Sequence, residues 1–133
     1  MRGLINVIGL DIGGTGIKGA VISSEGKLLA EAVIPTDASR GRERILANVH
    51  AVIGKLMGTS SVQAIGIGSA GRINAETSTV HYATDNLPGW TGLDFNEAIA
   101  DVYGIPVAVD NDVNAAAVGE AWMGTGKPHN SFF

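Results

Sequence analysis

The sequence predicts an α/β domain built on a mixed five-stranded sheet, and two patterns predict it. Three short apolar stretches separated by glycine-rich turns open the chain, and a helical period begins near residue 42. From there to residue 122, helical and strand patterns alternate. Tight turns favour antiparallel strands and helical crossovers favour parallel ones, so we expect a mixed sheet with helices packed on its faces.

The opening strands are predicted at residues 4–10, 17–23 and 27–34. The first is almost continuously apolar, as a buried strand would be, and the second alternates. The Ser-Glu-Gly turn at residues 24–26 joins the second strand to the third, and Pro35 ends the third. These features predict a three-stranded antiparallel opening.

A helix is predicted from residue 42, because apolar residues recur there on one helical face. Asp37 and Ser39 are both candidate N-caps, and Gly58 follows the last periodic residue as a helix terminator would. The predicted core stripe consists of Ile45, Leu46, Val49, Val52, Ile53, Leu56 and Met57.

The remaining chain alternates strand and helix around one long loop. Strands are predicted at residues 62–68 and 105–109, and helices at residues 94–103 and 114–122. The stretch 72–90 is polar and aperiodic, which predicts a loop. Loops of this length in compact domains are usually functional or disordered, and interspersed apolar residues favour an ordered loop that lines a cleft.

Composition excludes several function classes. A length of 133 residues predicts a single domain. The net charge of −4 argues against a protein that binds the phosphates of nucleic acid without regard to sequence. The absence of cysteine suits a reducing compartment, and the apolar opening is too short for a membrane span, so we expect a cytoplasmic protein that binds no membrane. Glycine is unusually frequent, at 19 residues, about twice the usual share.

The segment DIGGTGIK at residues 11–18 predicts a phosphate-binding turn. Gly13 and Gly14 let backbone N–H groups approach phosphate oxygens, Thr15 adds a hydroxyl donor, and Lys18 supplies positive charge. Asp11 is a candidate ligand for Mg²⁺, directly or through water. A bare Gly-Gly would indicate only a hairpin turn, whereas the acid, threonine and lysine beside it favour a ligand site.

The segment GIGSAG at residues 66–71 matches the dinucleotide pattern G-x-G-x-x-G, but its context is wrong. A Rossmann fold needs a helix opening at the third glycine and an acidic residue about 20 positions later, at the end of a second strand. A polar, aperiodic stretch follows instead. We therefore do not predict a dinucleotide site here.

The segment VDNDVN at residues 109–114 places polar groups at the carboxyl end of a strand, where ligands of α/β sheets bind. Asn111 can donate to and accept from a polyol, and Asp112 can accept a hydroxyl proton. Asp110 or Asn114 can serve as a helix cap, and a run made only of caps stays the alternative.

Three segments together resemble the N-terminal domain of ROK-family sugar kinases, within the actin, Hsp70 and hexokinase superfamily. They are DIGGTGIK, GSAGRIN with the downstream Thr84 and NLPGW, and VDNDVNAAA, in this order. The resemblance covers essentially the whole chain. It implies a ribonuclease-H-like fold and ATP-dependent phosphorylation of a hexose or N-acetylhexosamine, as in glucokinases, with Mg²⁺ as cofactor.

The resemblance also assigns roles to individual residues. Gly71, Arg72, Thr84, Asn111 and Asp112 match the family's sugar-contacting positions, and Asp112 matches the general base. By the same resemblance, Gly13, Gly14, Thr15 and Lys18 lie at the ATP phosphates, and Asp11 lies near the metal.

This chain differs from the family in length, because family members are roughly twice as long. We therefore expect residues 1–133 to be the N-terminal lobe of a sugar kinase, with little activity alone. The resemblance places a structural Zn²⁺ site only in the other lobe, and homodimers occur in the family. The alternatives are a ROK transcriptional regulator without its DNA-binding domain and a non-catalytic sugar-binding domain.

Overall fold

The fold is known from a computed structural model, which describes residues 5–83 and 87–111. A five-stranded sheet carries most of the core. Its strands are β1 (Asn6–Ile12), β2 (Gly16–Ser23), β3 (Leu28–Pro35), β4 (Ala64–Ser69) and β7 (Val107–Asn111). The helix α1 (Arg42–Met57) crosses from β3 to β4. The predicted helix at residues 114–122 lies outside the described residues.

The strand order in the sheet is β3-β2-β1-β4-β7. β1 pairs with β2, and β2 with β3, in antiparallel fashion, whereas β1 with β4 and β4 with β7 are parallel. The predicted mixed five-stranded sheet with an antiparallel opening is confirmed. Because β1, β4 and β7 run in the same direction, their carboxyl ends meet at one edge.

Helix α1 packs on one face of the sheet through the stripe that its sequence predicts. Five of its apolar side chains are buried, and a Cβ added at Gly19 of β2 would lie 2.7 Å from Val52 and 2.8 Å from Leu56. The helix can lie this close because Gly19 has no side chain. Side chains alternate along a strand, so Lys18 projects from the opposite face. The buried residues of the stripe are Ile45, Val49, Val52, Ile53 and Leu56.

Neither candidate N-cap of α1 is correct, whereas Gly58 ends the helix as predicted. The N-cap is Gly41, and no side chain caps the helix there. Asp37 instead precedes a short 3₁₀ turn (Ala38–Arg40) with a left-handed φ of 56°, and its carboxylate accepts a hydrogen bond from Asn48 Nδ2 at 3.3 Å. The extra turn separates Asp37 from the helix start, which the sequence pattern does not reveal.

The stretch 72–90, predicted as a loop, contains a hairpin of two short strands, β5 (Arg72–Asn74) and β6 (Thr79–Tyr82). Its turn is closed by Asn74 Oδ1, which accepts hydrogen bonds from the N–H groups of Glu76 (3.1 Å) and Thr77 (3.3 Å). Polar residues satisfy the turn locally, so a hairpin forms without the apolar alternation that strand prediction depends on.

The predicted helix at residues 94–103 is present but irregular. Asp94 Oδ1 accepts a hydrogen bond from Asn96 N–H at 2.9 Å, a π-helical turn follows at Asn96–Ala100, and α2 (Asp101–Tyr103) completes it. In the described part of the chain, no helix is long and apolar enough to cross a membrane.

His50 of α1 and Tyr103 of α2 join the two helical segments. Nδ1 of His50 lies 2.6 Å from the Tyr103 hydroxyl, and the ring centroids are 5.5 Å apart. Burial lowers the pKa of His50, although a hydrogen bond to the backbone of Ala98 opposes the shift. The pair is a structural contact that favours neutral imidazole.

We expect the free energy of unfolding to fall as the pH drops from 7.5 to 5.5, in part through His50. Its pKa is lower in the folded state, so the unfolded chain takes up the proton first. The stabilisation is fully present above about pH 6.5 and is lost as the pH falls through the lower folded-state pKa. Urea unfolding across this range measures the dependence. The free energy of unfolding should depend less steeply on pH in His50→Gln than in the wild type. The same pH dependence in both proteins would contradict the role assigned to His50.

Candidate functional site

The candidate site lies at the edge of the sheet where β1, β4 and β7 end. Asp11 of β1 is in register with Lys18 of β2 on one side and with Gly68 of β4 on the other, and Gly68 is in register with Asp110 of β7. Neighbours in register project from the same face of a sheet. Lys18, Asp11 and Asp110 therefore form a row of charged groups on the face opposite α1.

Gly68 leaves a gap in this row. Two strand spacings separate the Cα atoms of Asp11 and Asp110 by about 10 Å, and no side chain stands between them on β4. In the described part of the chain, no group of three His, Cys, Asp or Glu residues is arranged to hold a metal ion. A metal at Asp11 would therefore need ligands from elsewhere, such as water or phosphate oxygens.

The predicted phosphate-binding turn is a tight connection between β1 and β2. Gly13 N–H donates a hydrogen bond to the Gly16 carbonyl at 3.0 Å, which closes the turn, and the Thr15 residue is exposed. Within residues 5–83 and 87–111, no backbone carbonyl accepts a hydrogen bond from the N–H of Gly14 or Thr15. The turn therefore offers donors to a ligand beyond the end of β1.

Gly71 and Arg72 follow β4 after a single residue, Ala70, at the same edge. Gly71 has a φ of +100°, and a Cβ added there would lie 2.5 Å from the Tyr82 carbonyl oxygen. Only glycine fits this position, because both the backbone conformation and the approach of β6 exclude a side chain. The sharp bend places Arg72, which is exposed, at the start of β5.

Asn111 belongs to the same edge, since its backbone ends β7 in register with Ser69 of β4. Thr84 and Asp112 lie outside the described residues. The structure thus brings together the turn at residues 13–15, the Gly71–Arg72 bend and the backbone of Asn111.

A buried hydrogen bond fixes the segment around Trp90 over the end of β4. Trp90 Nε1 donates to Ser69 Oγ at 3.0 Å, and both residues are fully buried. The indole also packs edge-on against Phe95, with ring centroids 5.9 Å apart. Leu87 and Trp90 of the motif NLPGW are therefore part of the core, and the Trp90–Ser69 contact joins this segment to the end of β4, just before the bend that carries Arg72.

Ser69→Ala should lower the free energy of unfolding by about 1–3 kcal/mol, because it leaves the buried Trp90 N–H without an acceptor. Urea unfolding measures the loss. Ser61→Ala is the matched control: its exposed hydroxyl accepts a hydrogen bond from Gln63 Nε2 at 3.0 Å, and its loss should cost about 0.5 kcal/mol or less. Equal losses in the two variants would contradict the role assigned to Ser69.

Two residues that hold segments of the site in place could not be predicted from the sequence. Arg42, the first residue of α1, donates from Nε to the Gly89 carbonyl at 2.6 Å and from Nη2 to the Thr91 carbonyl at 2.9 Å. Thr36, directly after β3, donates from its hydroxyl to the Gly13 carbonyl at 2.7 Å. Both contacts join residues more than 20 positions apart, so no local sequence signal predicts them.

Known proteins are similar to this chain in sequence along nearly its whole length. The ROK family profile matches residues 7–133. The glucokinase of Streptomyces coelicolor is 42% identical over 125 residues, covering 93% of this chain and 38% of that protein. The glucokinase of Thermotoga maritima is 30% identical over 126 residues, covering 95% and 39%. The chain thus spans about two fifths of the length of these relatives.

Solved structures agree on the fold. A ROK family glucokinase from Streptomyces griseus, in complex with glucose and AMPPNP, superposes with a TM-score of 0.74 at 34% identity, covering 93% of this chain and 38% of that one. A ROK family transcriptional regulator, a homologue of the E. coli MLC protein, has the same fold, with a TM-score of 0.70 at 21% identity over 80% of this chain and 28% of its own. The chain therefore belongs to the ROK family and has the actin-like ATPase fold of the family's sugar kinases.

Proposed function

We propose that the protein transfers the γ-phosphoryl group of ATP to a hydroxyl of a hexose or N-acetylhexosamine, and that residues 1–133 form one lobe of this enzyme. The observation that carries the proposal is the meeting of two kinds of site at one sheet edge. A turn whose Gly14 and Thr15 N–H groups donate to no backbone carbonyl of the described residues lies at the end of β1, and the Gly71–Arg72 bend lies just beyond the end of the adjacent β4.

The donor side of the site is the turn at residues 13–15 with Lys18 and Asp11. The N–H groups of Gly14 and Thr15 can donate to phosphate oxygens, and the Lys18 ammonium is exposed to attract them. The Asp11 carboxylate is a hard oxygen ligand at the end of β1, which fits Mg²⁺. Bound Mg²⁺ would neutralise charge on the phosphates.

The acceptor side is built from β4 and β7. Arg72 and Asn111 offer donors to sugar hydroxyl groups, and Gly71 gives the sugar close access to the backbone. We propose Thr84 as a further sugar contact and Asp112, the residue after β7, as the base that orients and deprotonates the attacking hydroxyl. Phosphoryl transfer depends mainly on positioning and charge stabilisation, and these are the contributions that we propose for the residues of this lobe.

Support comes from the relatives, since glucokinases are at least 30% identical and one solved relative holds glucose with AMPPNP. Because the chain spans about two fifths of their length, we propose that the rest of the enzyme supplies a second lobe. Such a lobe would close over ATP and sugar and exclude water. We expect residues 1–133 alone to have little kinase activity.

Isothermal titration of the protein encoded by the complete gene tests this proposal against its alternatives. A kinase binds both a sugar and Mg²⁺-AMPPNP, with saturable heats for each. A regulator or a non-catalytic sugar-binding domain would bind a sugar and give no heat with Mg²⁺-AMPPNP. That second pattern would contradict the kinase proposal.

A further inference from the structure

Thr36 contacts both ends of the phosphate-binding turn at once. Its hydroxyl donates to the Gly13 carbonyl at 2.7 Å, and its N–H donates to the Thr15 carbonyl at 3.0 Å. Thr36 itself is completely buried beneath the turn. One residue of the β3–α1 connection therefore fixes two carbonyl groups of the turn toward the protein interior.

Fixing a carbonyl also fixes the N–H of the same peptide group. A trans peptide is planar, with its C=O and N–H pointing in opposite directions. The Gly13 carbonyl and the Gly14 N–H share one peptide, so a carbonyl held inward by Thr36 turns the Gly14 N–H outward. Among the described residues, no backbone carbonyl accepts a hydrogen bond from this N–H.

The segment that carries Thr36 is itself anchored on α1. Asn48 Nδ2 lies within hydrogen-bonding distance of the Pro35 carbonyl (3.0 Å), the Thr36 carbonyl (3.2 Å) and the Asp37 carboxylate (3.3 Å). Asp37 adopts a left-handed φ of 56°, and its carboxylate is one of the three acceptors. Thr36 is thus attached to the buried core and is not part of a freely moving loop.

We propose that Thr36 is a positioning residue for the phosphoryl donor: its hydroxyl orients the Gly14 N–H toward the phosphates. The inference rests on the proposed kinase function and extends it to a residue that does not contact ATP. The hydroxyl is the essential group, since the N–H of Thr36 would remain in any substitution except proline.

Thr36→Val removes the hydroxyl and keeps the shape of the side chain. In the protein encoded by the complete gene, we expect kcat/KM for ATP to fall about tenfold, because the Gly14 N–H would no longer be held in line with a charged phosphate oxygen. KM for the sugar should stay within about twofold. Thr36→Ser restores the donor and should recover most of the loss.

Ser23→Ala is the matched control. Ser23 is also buried, and its hydroxyl accepts hydrogen bonds from the N–H groups of Glu25 (3.2 Å) and Lys27 (3.1 Å) in the β2–β3 turn, at the other end of β2 from Gly16. Its loss should reduce stability and leave kcat/KM for ATP unchanged. An equal fall in Ser23→Ala would mean that any buried hydroxyl has this effect and would overturn the proposal.

The outcomes separate this inference from the kinase proposal. Binding of Mg²⁺-AMPPNP to the wild type with unchanged kcat/KM in Thr36→Val overturns the role of Thr36 alone. A wild type that does not bind Mg²⁺-AMPPNP overturns the kinase function and, with it, the role of Thr36. If Thr36→Val does not fold, Asn48→Ala tests the same role, because it removes the side chain that anchors the segment carrying Thr36. We expect this variant to raise KM for ATP about twofold or more. An unchanged KM for ATP would overturn the proposal.

Discussion

Asp112→Asn should lower kcat about 10²- to 10⁴-fold in the protein encoded by the complete gene, while the protein still folds and binds sugar. The amide has nearly the shape of the carboxylate and can still hydrogen-bond a hydroxyl, but it cannot take up the proton of the attacking group. Positioned acid–base catalysis contributes an effect of this size. A coupled assay of ADP release measures kcat, and isothermal titration measures sugar binding.

Asp101→Asn makes the same chemical change on α2, where the residue is exposed. We expect it to leave kcat within about twofold of the wild type. If Asp112→Asn also kept a wild-type kcat, Asp112 would not be the base, and the role proposed for the residue that follows β7 would be wrong.

Gly71→Ala should combine a loss of stability with a fall of about 10²-fold in kcat/KM for the sugar. The added Cβ would lie 2.5 Å from the Tyr82 carbonyl oxygen and 3.3 Å from the Ala83 Cα, so β6 or the bend after β4 must move. Either movement displaces Arg72, and an error of about 1 Å in the placement of a reacting group can cost this much. Urea unfolding and the ADP-release assay measure the two effects.

Gly92→Ala separates backbone strain from steric contact. Gly92 has a φ of +87°, close to the +100° of Gly71, but a Cβ added there meets nothing within 4 Å. Its cost should be about 1–2 kcal/mol of stability from the left-handed conformation, with kcat/KM for the sugar little changed. If the two variants lost the same stability and activity, the close approach of Tyr82 would not be what Gly71 accommodates.

Sequence patterns predict the sheet and α1 well, because burial on one face imposes a regular spacing. The stripe on α1 follows from that spacing, and the antiparallel pairing of β1, β2 and β3 follows from the short turns between them. The start of α1 could not be predicted in the same way, because a 3₁₀ turn separates Asp37 from the N-cap at Gly41. The β5–β6 hairpin was also not predicted, because the Asn74 side chain stabilises its turn and no repeated apolar pattern marks its strands.

In the candidate site, too, some residues can be predicted from local sequence and others only from the structure. The residues proposed to contact ligands belong to short segments, such as DIGGTGIK, and local sequence is enough to nominate them. Residues that hold those segments in place act from a distance. Thr36 lies 23 positions from Gly13, and Arg42 lies 47 from Gly89, so their roles follow only from the folded chain. The hydrogen bond from Trp90, a completely buried residue, to Ser69 spans 21 positions and likewise follows only from the folded chain.

The most direct test of the kinase proposal is sugar-dependent ADP release by the protein encoded by the complete gene. The assay supplies Mg²⁺-ATP with glucose, mannose, fructose, N-acetylglucosamine, N-acetylmannosamine or a β-glucoside. We predict ADP release above the sugar-free rate with at least one of these, and loss of that release in Asp112→Asn. A folded protein that binds one of the sugars and releases no ADP with any of them would contradict the proposed function.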